Sequence, residues 1–232
     1  MFTLLQADTL ATAAAAEAVP QQELTLSLID MCTKGGWLMI VLLLLSVIAI
    51  YLFAKKFWMI RRAANVDKRF LQEVRDLIHE GKIKAATKRC EEYDSPVARL
   101  VEKGIERIGR PLSDIQTAVE NTANVEVQRL EKGLPYLAMI SGGAPMIGFL
   151  GTVTGMIKAF FNMSQAGNNI DIALLSSGIY QAMVTTVGGL AVGIIAYFAY
   201  NYLTAKVSDV VFQMENSTIE FMDMLNEPAE NK

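Results

Sequence analysis

LPYLAMISGGAPMIGFLGTVTGMI, residues Leu134 to Ile157, runs for 24 positions without an Asp, Glu, Lys, Arg or His. A helix of that length crosses a hydrocarbon layer of about 30 Å. Its content is unusual for a lipid-facing span, being rich in Gly, Ser and Thr as well as apolar residues. Ser141, Pro145, Gly148, Thr152, Gly155 and Ala159 follow one another at steps of three or four. Such steps place a small, weakly polar stripe along one helix face. Pro135 and Pro145 are expected to kink or loosen the helix, because proline removes a backbone donor.

Two further spans flank this one. GWLMIVLLLLSVIAIYLF, Gly36 to Phe53, offers 18 uncharged residues, with Lys55 and Lys56 directly after it. Trp37 and the Tyr51/Trp58 pair suit the two membrane interfaces. From Ile172 to about Leu203 the same five residue types are absent again. That run is longer than a bilayer requires, so its helix is expected to continue beyond the membrane through AKVSDVVFQMENSTIEFMDMLN. The expected class is an all-α membrane protein: three transmembrane helices with long cytoplasmic helical extensions.

The charge distribution orients the spans. Residues 55–132 hold 17 of the 21 Lys and Arg. Lys55, Lys56, Arg61 and Arg62 lie close behind the first span, and positive flanks stay on the cytoplasmic side. The resulting layout has an N-terminal periplasmic segment at 1–35, spans at 36–54, 134–161 and 172–204, and a cytoplasmic helical domain at 55–133. A periplasmic loop follows at 162–171 and a cytoplasmic C-terminal helix and tail at 205–232. The N-terminal segment has no Lys or Arg before Lys34, so it reads as uncleaved rather than as a signal peptide. Gly81 should break the helical pattern of the cytoplasmic domain, Tyr93-Asp94-Ser95-Pro96 should turn it, and Ser113 or Asp114 should cap the next helix.

Little points to enzymatic chemistry. His79 is the lone histidine, and its charged surroundings suit a surface residue. Neither a metal-spaced Cys/His cluster nor a phosphate-loop or nucleophile motif is present. Cys32 and Cys90 flank the first span and so lie on opposite sides of the membrane, which forbids a bridge between them. The basic domain also carries 13 acidic residues, which argues against nucleic-acid binding. No catalytic residue, metal or cofactor is expected; the expected environment is a lipid bilayer.

Function is sought inside the membrane. On the third span Ser177, Gln181 and Thr185 repeat at i,i+4, followed by Thr186 and by Gly188, Gly189 and Gly193. One reading is close helix packing, to which Gly148, Gly151-xxx-Gly155 and Gly189-xxx-Gly193 are suited. The other is that Thr152, Gln181, Thr185, Thr186 and Ser177 line an interior path, since a mid-membrane Gln facing lipid is costly. Proton relays usually place Asp, Glu or His within the membrane, and these spans have none. A titrating carboxylate would have to come from another subunit.

GGAPMIGFLGTVTGMIKAF, Gly142 to Phe160, resembles the second span of the MotA/TolQ/ExbB proton-channel family, and GIYQAMVTTVGGLAVGIIAYFAYNYL, Gly178 to Leu203, its third. The resemblance extends over nearly the whole chain, and three spans resemble ExbB or TolQ more than MotA. It implies a pentameric ring around two single-span ExbD-like helices, each carrying a membrane Asp. Proton flow would drive those helices and act through a TonB-like protein on outer-membrane transport; a TolQ-like envelope motor or a motility or secretion motor are variants. The resemblance assigns Thr152 and Thr186 to the proton pathway. The family often has Glu where this chain has Gln181, which leaves the partner's Asp as the membrane carboxylate. A non-conducting scaffold and a small transporter are the readings from other classes.

Overall fold

The computed structural model describes residues 35–64, 68–165 and 172–226, and every element among them is a helix. In chain order these are α1 (Gly36–Ala63), α2 (Lys68–His79), α3 (Ile83–Glu92), α4 (Pro96–Ile105), α5 (Leu112–Glu131), α6 (Leu134–Gln165) and α7 (Ile172–Asn226). Three stretches of helix are long and apolar enough to cross a membrane, carried by α1, α6 and α7. Cys32, considered above, lies outside the described residues.

Each long helix shows its physical origin. On α1, Trp37 and Trp58 are both largely exposed and lie 21 positions apart, about 31 Å of helix rise, which matches the spacing of two membrane interfaces. α6 accommodates its two prolines differently. Pro135 stands in the first turn, where no amide hydrogen is required of it, so the chain turns just before it, at Gly133 with φ 103°. Pro145 is inside the helix. α7 is one helix of 55 residues, about 80 Å long, so it spans the membrane and then forms the spine of the extramembrane part.

That second half of α7 buries Leu203, Val207, Val210, Met214, Ser217, Phe221 and Met224. The steps alternate four and three, the spacing of a coiled-coil seam. Against it pack Phe70, Leu71 and Val74 of α2, Val97, Leu100, Val101 and Ile105 of α4, and Ile115 and Val119 of α5 in one apolar core. Gly104 of α4 lets Phe221 approach, since a Cβ there would overlap the ring. α2 and α3 are separated at Gly81, whose φ of 71° suits glycine. Ser95 caps α4 by accepting from the Ala98 amide at 3.1 Å, with Pro96 in the first turn. The start of α5 corrects the sequence expectation. Neither Ser113 nor Asp114 caps it; Pro111 holds the cap position with φ −51° and no side-chain bond. The fixed proline ring sets the entry angle by itself.

Candidate intramembrane site

The functional question centres on α6 and α7, which pack along their small residues. Ala144, Gly148, Gly151 and Ala159 on α6 are buried, as are Ala182, Thr185, Gly189, Gly193 and Ala196 on α7. The approach is backbone to backbone. A Cβ on Gly189 would stand 2.6 Å from the Ala144 carbonyl oxygen and 2.8 Å from the Gly148 Cα. Gly193 faces the Pro145 ring and the Ser141 carbonyl, an oxygen for which Pro145 supplies no amide hydrogen. The Thr186 hydroxyl donates to the Gly148 carbonyl at 3.0 Å, a polar link between the two spans.

Two sides of this seam differ. Gly151 meets the Thr185 side chain directly; Thr185 is buried and donates to the Ala182 carbonyl at 2.7 Å. The next residue on each helix is Thr152 and Thr186, each turned by about 100° from its predecessor. Both therefore lie on the opposite edge of the seam, and both are partly exposed. Thr152 donates to its own Phe149 carbonyl at 2.6 Å. Phe149, Val153 and Met156 on α6 and Met183, Val187 and Leu190 on α7 form exposed apolar surface around them.

α1 covers another side of α7. Met39 and Leu42 lie against Gly188, and the Gln181 amide lies against Gly36 at the start of α1. Gln181 of α7 is thus half-buried beside α1, while Ser177 is exposed near the start of α7. Of the five lining candidates, the structure brings Thr152 and Thr186 to one open edge. It puts Thr185 inside the seam and Gln181 beside α1. Gly155 packs on Ala182 and Gly178. Among the described residues no group of His, Cys, Asp and Glu could hold a metal ion.

Sequence reading missed a polar cluster where α1, α5 and α6 meet. Lys56 is buried and donates to the Arg129 and Leu130 carbonyls at 3.1 and 3.2 Å. These are orphan carbonyls at the end of α5. Burial, together with Lys55 and Lys132 nearby, pushes the Lys56 ammonium below its ordinary pKa. Glu126, also buried, receives Arg99 at 2.7 Å and Arg129 at 2.7 Å. Sequence held two signals for this: a Lys pair directly after an apolar run and a Glu at an apolar position of α5.

Long apolar helices packed through glycine contacts, with a polar helical bundle beyond them, define a multi-pass membrane protein. Residues 92–216 match the MotA/TolQ/ExbB proton channel family, and the chain belongs to it. It is 29% identical over 193 residues to a putative biopolymer transport protein ExbB homolog of Methanothermobacter thermautotrophicus, covering 82% of this chain and 67% of that one. It is 30% identical over 183 residues to a putative biopolymer transport protein ExbB-like 1 of Synechocystis, covering 78% and 72%. The Tol-Pal system protein TolQ of Haemophilus influenzae is 33% identical over 115 residues, half of each chain.

Proposed function

We propose that this chain is the ring-forming stator subunit of a motor driven by the proton-motive force in the bacterial inner membrane, with its N-terminus periplasmic. In this reading it is ExbB-like, forms a pentamer, and works with an ExbD-like single-span protein to energise TonB-dependent transport across the outer membrane. The observation that carries it is the open edge of the α6/α7 seam. Thr152 and Thr186 are partly exposed there, in spans that contain no Asp, Glu, Lys, Arg or His over residues 134–157 and 172–203. Hydroxyls can hold water and pass a proton without trapping it; a carboxylate to load the proton has to arrive on a partner helix. The family's description as a proton channel supports conduction over an inert scaffold.

Within the family, the ExbB-like relatives match over more of this chain than the TolQ relative does, which favours the ExbB-like role. A TolQ-like envelope role uses the same site with a different partner. Thr152→Ala and Thr186→Ala, expressed with the ExbD-like partner, are expected to abolish energised uptake of an outer-membrane substrate while the complex stays assembled in native mass spectra. Normal uptake by both variants in intact complexes would sink the reading. Normal uptake in cells lacking the gene, with a leaky outer membrane, would instead assign the TolQ-like role.

A further inference from the structure

A cavity of about 740 Å³ opens where α1 and α6 leave the membrane, between the end of α1, the start of α4 and the α5–α6 turn. Its wall carries six cations, Lys55, Lys56, Arg62, Arg99, Arg129 and Lys132, against two carboxylates, Asp94 and Glu126. The carboxylates are already committed: Asp94 to Arg62 at 3.1 Å and Arg99 at 2.8 Å, Glu126 to Arg99 and Arg129. Among the described residues, Lys55, Lys56 and Lys132 pair with no carboxylate. The Arg99 Nε is buried with no hydrogen-bond partner. The recess therefore carries net positive charge beside an apolar wall, a setting that favours an entering anion. Burial first, and then the charges of Lys55 and Lys132, lower the Lys56 pKa.

The walls also say which anion. Leu52, Met59, Trp58 and Tyr136 are among the uncharged lining residues, and Trp58 and Tyr136 are 80% and 62% exposed. Exposed Trp and Tyr at a span's end sit at lipid headgroup level. Lys55 follows the apolar run of α1 within two residues, and Tyr136 is the third residue of α6. A phosphate bearing acyl chains can hold its head in the cavity and its tails along exposed α1; a free phosphate gains nothing from the aromatic rim. We propose that this cavity is a binding site for the phosphate of an anionic phospholipid headgroup from the cytoplasmic leaflet. The site is separate from the Thr152/Thr186 edge, and its place in the cytoplasmic leaflet rests on the orientation proposed above, with the N-terminus periplasmic.

The test is a native mass spectrometric titration of the full chain in detergent, in three arms: dioleoylphosphatidylglycerol, dioleoylphosphatidylcholine and inorganic phosphate. The wild type is expected to retain the glycerol lipid in preference to the choline lipid. In Lys55→Gln/Lys132→Gln that preference should fall, by roughly fivefold per charge removed. The surface pair Lys84→Gln/Lys88→Gln should leave it unchanged. A wild type without headgroup preference, or a double variant that keeps it with its helix content and assembly intact, overturns the proposal. Inorganic phosphate that binds alone as tightly as the lipid, and displaces it, overturns the lipid source.

Discussion

At the scale of single residues, the seam glycines and the seam threonines answer to different physics. Gly189 touches carbonyl and Cα atoms of α6, which cannot rotate aside as a side chain can. Gly189→Ala should therefore push α7 off α6 and lower stability by about 1–3 kcal/mol, the usual range for overpacking. Gly142→Ala adds a Cβ that meets nothing within 4 Å and is the matched control; thermal unfolding in detergent compares them. Thr186 tests function instead. Its bond to the Gly148 carbonyl is a span-to-span hydrogen bond, of a kind worth about 0.6 kcal/mol on average in membranes, so Thr186→Val should assemble with a small loss of stability. Cys90 makes a third case. Burial, with Glu102 and Glu91 adding to it, pushes its thiol from 9.0 up to about 12. Cys90 of the folded protein should therefore resist alkylation by iodoacetamide at pH 8, followed at its own peptide by mass spectrometry, since the thiolate is the reacting form. The sign of the linkage follows: the folded state favours the thiol, so this contribution is complete below pH 9.0 and is lost as the pH rises toward 12.

At the scale of elements, the sequence carries the spans more openly than the contacts between them. Each apolar run is long enough to announce a helix by itself, and α1, α6 and α7 contain them. The i,i+4 repeat of Ser177, Gln181 and Thr185 likewise fixes a shared helix face. It does not fix what that face meets. Thr185 lies against Gly151 and Gln181 against Gly36 because of the register of α6 and the tilt of α1, and those are set by contacts distant in sequence. The Lys56 bonds to Arg129 and Leu130 were hidden for the same reason, spanning 73 and 74 positions and depending on the turn at Gly133. The four-three rhythm from Leu203 to Met224 could have been read directly. It makes Phe221 the centre of the extramembrane core, since the ring is fully buried and fills the space left by Gly104. Phe221→Ala should cost about 3–5 kcal/mol, the range for emptying a core aromatic site. Hydrogen exchange should show α4 and α5 losing protection together while the apolar half of α7 keeps it.

At the scale of the whole molecule, the decisive property is a missing charge. In the proposed reading Thr152 and Thr186 form a hydroxyl edge inside the membrane, while the three apolar runs contain no Asp, Glu, Lys, Arg or His. A proton entering that edge would meet acceptors but no base, and moving an unescorted charge through hydrocarbon is prohibitive. Vesicles containing this chain alone should therefore hold a pH gradient as well as protein-free vesicles do, measured with an enclosed pH-sensitive dye. Co-reconstitution with a single-span partner carrying a membrane Asp should dissipate the gradient, and Asp→Asn in that partner should restore tightness. If, as proposed, a partner supplies the base, its removal should act as completely as Thr152→Ala and Thr186→Ala together in this chain. Conduction by this chain alone would show that water and hydroxyls suffice along the α6/α7 edge, and the division of labour between subunits argued from its composition would be wrong.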